Sequence, residues 1–165
     1  MTRHHISALV ALAVASLGTS VCLAPPALAD PSWNGQYEVT FFTYQKSGTS
    51  MAVNQPESMH VDIYTFSSSC SSGHCVATIT DGPPPRNPTI PQPVQFTWDG
   101  SAWTSTSTWR WDCLFPDGTI EWSPAGSRVS YTPQPDGSLT GEMHTDISSG
   151  ACQGTVDMPM QALPI

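Results

Sequence analysis

Four tryptophans crowd one stretch of the chain, Trp98, Trp103, Trp109 and Trp111, with Ser105 and Ser107 between them. Large rings alternating with small hydroxyls suit the binding of an apolar or amphipathic molecule. Each indole supplies area and one N–H, while serine leaves volume and polar contacts. The same residues also suit a solid core, and that reading weighs more because ligand pockets are few per protein. A second group combines imidazole and carboxylate, as His60-x-Asp62 and Glu142-x-His144-x-Asp146. Such donors suit a divalent cation. A solvated strand face shows the same polar alternation, so no metal site is assigned. A paired-carboxylate hydrolase would need Glu121 beside Glu142 or Asp112, and nothing in their spacing recommends it. There is no Gly-x-Ser-x-Gly elbow, and only His60, His74 and His144 lie beyond the amino-terminal segment to serve as a base. No catalytic residue and no cofactor are assigned, and the chain reads as a non-enzyme.

The cysteines place these groups in a compartment. Arg3, His4 and His5 precede an apolar run from Ile6 to Leu23, and Ala27-Leu28-Ala29 offers the small-x-small pattern of a signal-peptidase site. Residues 1–29 read as a helical signal peptide and 30–165 as a single domain. Ser16, Gly18, Thr19, Ser20 and Pro25-Pro26 make the run a poor membrane span. Val21 before Cys22 departs from a lipoprotein signal, so no span or anchor remains after cleavage at Asp30. Removing 29 residues from 165 leaves 136, enough for one well-buried domain. Four cysteines stay behind, Cys70, Cys75, Cys113 and Cys152, and an even count in an exported chain reads as two disulfides. Cys70-x4-Cys75 has only His74 nearby, so a disulfide is favoured over zinc.

Charge limits the partners. Beyond the signal, Lys46, Arg86, Arg110 and Arg128 face thirteen Asp and Glu, a net of 4 − 13 = −9. That surface disfavours nucleic acid and anionic membranes alike.

The elements that position these residues are strands. Short alternating runs of Thr, Val, Tyr, Phe and Trp are separated by turn residues, and no helical periodicity appears after the signal. Eight strands are predicted, at 35–45, 58–69, 75–81, 93–98, 101–115, 119–133 (broken near Pro124-Ala125-Gly126), 138–147 and 152–161. Asp-Gly occurs at Asp81-Gly82, Asp99-Gly100, Asp117-Gly118 and Asp136-Gly137. Glycine there supplies the positive φ of a tight turn. Pro116 and Pro135 start type I turns in three-residue loops. A two-residue turn at Asp99-Gly100 sets Phe96 opposite Trp103 and puts Val94, Phe96, Trp98, Trp103, Ser105, Ser107, Trp109 and Trp111 on one face. The next hairpin aligns Val129, Tyr131, Leu139, Gly141, Met143, Thr145 and Ile147.

One apolar and one polar face describe an antiparallel sheet. An up-and-down meander of eight strands, closed or nearly closed into a barrel, removes its exposed edges. A two-sheet sandwich is the alternative. Alternating strand directions put the Cys70–Cys75 connection, Asp99-Gly100 and Pro135-Asp136-Gly137 at one end. The loops 46–57, 82–93, 114–118 and 148–152 fall at the other, so Cys70–Cys75 and Cys113–Cys152 pair without contortion. Six prolines between Pro83 and Pro93 make that loop a stiff cover over the open end.

Trp33-Asn-Gly-Gln-Tyr37, Phe96-Thr-Trp-Asp-Gly-Ser-Ala-Trp103, and Tyr131 to Gly141 leading to Cys152-x-Gly154-x-Val156-x-x-Pro159 resemble small secreted proteins of mycobacteria and related actinobacteria. The resemblance brings no known activity. In outline the barrel is similar to lipocalins, which carry small apolar ligands. Lipocalins open strand one with Gly-x-Trp, whereas here the order is Trp33-x-Gly35-x-Tyr37, so the likeness is one of architecture. The combined expectation is a monomeric protein, extracellular or in the cell envelope. In it Phe96, Trp98, Trp103, Ser105, Ser107, Trp109, Trp111 and Tyr131 would face a small lipophilic ligand in the barrel. The rival is an envelope protein-interaction module with a solid core and functional loops. A weak hydrolase is third.

Overall fold

The computed structural model describes residues 31–165, and the signal-peptide, cleavage and Cys22 readings lie outside them. Eight antiparallel strands close into a barrel in simple chain order. They are β1 (Gly35–Phe41), β2 (His60–Ser71), β3 (His74–Asp81), β4 (Gln95–Trp98), β5 (Trp103–Leu114), β6 (Ile120–Pro133), β7 (Leu139–Ile147) and β8 (Gly154–Pro164). Pairing of Tyr37 to Phe41 with Pro164 to Met160 closes the wall. The meander prevails over the sandwich because consecutive strands pair throughout. No helix among the described residues is long and apolar enough to cross a membrane.

The turns follow from their sequences. Phe115 to Thr119 and Gln134 to Ser138 are the same loop built twice, each with a type I hydrogen bond, Gly118 N to Phe115 O at 2.9 Å and Gly137 N to Gln134 O at 3.0 Å. Gly118 and Gly137 take φ of 84° and 86° as the following bulge position demands. Hydrogen bonds hold three turn carboxyls below the ordinary Asp range: from the Ala102 N–H at Asp99, and from the Thr119 and Ser138 hydroxyls at Asp117 and Asp136. A depressed folded pKa gives stability that is full above the usual Asp value and lost as the pH falls through the lowered one. The turns therefore loosen in acid.

Two turn readings need correction. Trp98 pairs with Trp103, not Phe96 with Trp103, so the β4–β5 connection is the four-residue loop Asp99 to Ala102. Asp99 Oδ1 gathers the N–H groups of Ser101 and Ala102 at 3.0 and 2.9 Å and stabilises the longer loop. The slip is two residues, so every side chain keeps its predicted face. Asp81-Gly82 is no hairpin turn. It opens the proline loop, and Gly82 is needed for close approach: a Cβ there would lie 2.4 Å from the Tyr64 ring.

The proline loop completes the wall. β4 has four residues and reaches β5 only at Thr97–Thr104 and Trp98–Trp103, so the upper half of β5, paired with β6 on one side, has no strand neighbour on the β4 side. Side chains of the loop take that place. Asn87 Nδ2 donates to Arg110 O at 2.9 Å and to Asp112 Oδ1 at 3.0 Å, and Arg110 N donates to Thr89 Oγ1 at 3.0 Å. The loop expected as a stiff cover is thus also a patch between β3 and β5. Replacing Asn87, which is buried, by Ala orphans these partners and should cost about 1–3 kcal/mol. Faster amide exchange at Arg110 with the rest of β5 unchanged is the expected signature; uniform exchange rates would show that the patch adds nothing.

Candidate functional site

The inward face runs from a packed floor to an open chamber. At the floor Trp33, which precedes β1 and belongs to no strand, is fully buried. Its ring stacks on Phe66 with centroids 4.0 Å apart and packs against Phe96 at 5.0 Å and Tyr131 at 5.1 Å. Trp103 is fully buried in the same cluster, and Trp98 lies against it at 5.4 Å. Burial pushes the Tyr131 hydroxyl far above its usual range. Short hairpins close this end, so the aromatic cluster acts as a stopper.

Above the stopper lies a chamber of about 1160 Å³, on the scale of sites that take one small molecule. Val39, Phe66, Phe96, Tyr131, Met143 and Met160 give it apolar walls. One side carries hydroxyls: Ser105, Ser107 and Ser127 line it, Ser127 bonds Thr145 at 2.7 Å, and Trp109 Nε1 donates to Ser127 Oγ at 2.8 Å. The tryptophan face is thus divided by height along the barrel. Phe96, Ser105, Ser107, Trp109, Trp111 and Tyr131 border the chamber, while Trp98 and Trp103 sit in the packed floor.

The rim is polar. Lys46, Glu57, His60, Asp62, Tyr64 and Arg86 gather where the β1–β2 and β3–β4 loops meet. The Lys46 side chain is only 2% exposed, and its Nζ is held by Glu57 Oε1 at 3.3 Å and Gln55 O at 3.2 Å. His60 stacks on Phe41 with centroids 4.3 Å apart. Burial, aided by the nearby Arg86 charge, holds its pKa below the ordinary histidine value. Burial and the Asp62 carboxylate push Tyr64 up to about 12.

The imidazole–carboxylate groups do not come together. His60 and Asp62 face inward from β2, whereas His144 on β7 is bonded to Asp157 at 2.5 Å across the β7–β8 ladder, beside Asp146 at 3.4 Å. That hydrogen bond, with the two carboxylates, raises the His144 pKa. Among the described residues no cluster of three or more His, Cys, Asp or Glu could hold a metal ion. The carboxylates of the hydrolase reading are also separated. Asp112 accepts from Asn87, Glu121 from the Ala151 N–H, and Glu142 pairs across the ladder with Ser130 and Pro159. Both predicted disulfides are present, Cys70–Cys75 and Cys113–Cys152.

The rim residues Lys46, Tyr64 and Arg86 were not singled out as site residues in the sequence. A signal existed in β2, where His60, Asp62, Tyr64 and Phe66 alternate inward and grade from polar to apolar.

Comparison with known proteins agrees with this architecture. The monomer form of the M. tuberculosis PknI sensor domain superposes with a TM-score of 0.58 at 18% identity, over 83% of this chain and 90% of that one. The dimer form of the same M. tuberculosis domain gives 0.48 at 26% identity, over 62% and 70%. No curated protein matches the chain. Residues 30–163 match the sensor domain of PknI serine/threonine-protein kinase, and the chain belongs to that family.

Proposed function

We propose that this protein is a secreted, non-enzymatic binding domain that takes one small apolar or amphipathic molecule into its barrel. The molecule passes in and out at the long-loop end. The chamber carries this reading: its apolar walls, hydroxyl side and polar rim are graded as an amphipathic guest would require. Membership of a sensor-domain family fits a protein that binds rather than transforms, and two disulfides fit an oxidising compartment.

Trp109 and Trp111 border the chamber, so their fluorescence should shift saturably as long-chain alcohols and fatty acids are added. Leucine at Ser105 or Ser107 should fill the space and abolish the shift with stability kept. In a solid interior the same change would cost about 1–3 kcal/mol. A silent parent protein together with an unstable Ser105→Leu variant would reject the carrier.

A second reading, the protein-interaction module, is favoured by one observation. The tip of the β5–β6 hairpin exposes Leu114, Ile120 and Trp122. Silent chamber titrations would leave that reading standing.

A further inference from the structure

We propose that the barrel wall carries a second site, a slot along β5 between Thr104 and Arg110, which takes an extended segment of a partner protein as an added antiparallel strand. The site goes beyond the small-molecule reading and does not depend on it.

The slot opens where β5 loses its neighbour. β4 pairs with β5 as far as Thr97–Thr104, while Phe96 and Gln95 stay with β3, opposite Ala77 and Thr78. The loop limb leading into β4 also stays with β3, because Ile79 N donates to Val94 O at 3.1 Å. The loop meets β5 again only through Asn87 and Thr89, at Arg110 and Asp112. Between these two attachments, Ser105 to Trp109 is paired with β6 on one side alone.

The backbone groups on the open side can be identified. Arg110 gives both its N–H and its C=O to the loop, so they point away from β6. Pro124, opposite Arg110 on β6, has no N–H to offer and fits that direction. Peptide groups alternate sides along a strand, so the N–H and C=O of Thr108 and Thr106 also point into the slot. None of them bonds to another described residue on that side. Both threonines are exposed, so water serves these groups in the free protein, and one extended chain would satisfy them together. Strand edges left open to water are usually guarded by lysine, proline or a bulge. Ser105-Thr-Ser-Thr-Trp109 has none of these, and its register with β6 is unbroken.

The chamber sets the chemistry of the segment. Inward Ser105 and Ser107 and outward Thr106 and Thr108 border the same cavity, which places the open edge of β5 on that cavity. An added strand would turn alternate side chains inward beside Val94, Phe96 and Trp109. The others would lie outside among the uncharged Thr97, Thr104, Thr106 and Thr108. The slot therefore suits a segment that alternates apolar and small polar residues. Six steps from Thr104 to Arg110 span roughly 20 Å, room for about five residues.

The probe is acetyl-Lys-Val-Thr-Val-Thr-Val-Lys-amide, titrated into the protein and followed by NMR. Saturable shifts should centre on the Thr106 and Thr108 amides, whose hydrogen exchange should slow about tenfold or more. The same peptide N-methylated at its two threonines keeps every side chain but loses the donors that face β5. It should bind about tenfold or more weakly. Asparagine in place of the three valines should weaken binding too, because polar side chains would then enter the chamber. In the protein, Thr106→Pro removes an N–H that faces the slot and none that bonds β6. That variant should melt like the parent and lose the peptide. If it melts low, the methylated peptide still decides. Equal binding of the methylated or the asparagine peptide overturns the added strand, as do shifts that bypass Thr106 and Thr108. No saturable shift at about 1 mM peptide overturns the site altogether.

Discussion

Replacing Trp33 by alanine should lower stability by about 3–5 kcal/mol, the range for deleting a fully buried large aromatic. The ring is 0% exposed and stacks on Phe66. It contacts residues contributed by β2, β4, β5 and β6, so its loss removes packing from half the wall at once. The segment that carries it is tied to β2 twice: Trp33 N donates to Ser68 Oγ at 2.9 Å, and Asn34 Oδ1 accepts from Ser68 N at 2.7 Å. Urea denaturation with Trp122→Ala as control, a partly exposed ring on the outer surface, separates loss of the stopper from loss of any tryptophan. Trp33→Phe should recover part of the difference. A loss below about 1 kcal/mol for Trp33→Ala would mean that the floor holds together without it.

Removing the Cys113–Cys152 bridge as a double alanine variant should cost about 4 kcal/mol from the entropy of the loop it closes, 39 residues apart in sequence. Both sulfurs are fully buried among Ala52, Trp111, Ala125, Ile147 and Val156, so repacking losses add to that figure. Deleting Cys70–Cys75 should cost about half as much or less. Its partners are five residues apart and already face each other across the β2–β3 hairpin. Thermal melts of the two double variants give the comparison directly. Equal losses would show that chain entropy is not what the long bridge supplies. The long bridge also ties the β5–β6 rim to the β7–β8 connection. Ser50 Oγ reinforces the same corner by donating to Cys152 O at 2.5 Å. Without the bridge the β1–β2 loop loses one of its moorings and keeps its bonds to β8, such as Ser47 N to Asp157 O at 2.9 Å.

The strand order and faces were legible because they depend only on the two-residue period and on turn chemistry, and a register slip of two at Asp99 leaves parity untouched. Height along the barrel was not legible. Trp103 and Trp109 share a face with Ser105 and Ser107, yet Trp103 is floor and Trp109 is chamber wall. What decides between them is the position of the stopper. Trp33 forms that stopper from outside every strand, so no alternation pattern points to it. Arg86 was hidden for a similar reason. A charged residue in a proline-rich loop reads as solvated surface until Asn87 is seen to pin that loop against β5. His60 and Asp62 were noticed as donors, but the inward grading toward Phe66 gives them a different meaning from the one metal chemistry suggested.

β1 and β8 are neighbours in the wall, and Ile165 N donates to Gln36 O at 3.1 Å. The strands therefore form a ring in which the last pairing is of the same kind as the other seven. A ring has no first member. Joining Ile165 to Pro31 by a short linker and reopening the chain in the Asp99 to Ala102 loop would present the same eight-strand circuit, with the rim residues still on their original elements. Pro31 and Ile165, the first and last described residues, both lie beside the stopper, so a partner or surface tether joined at either position would leave the chamber facing away from the attachment.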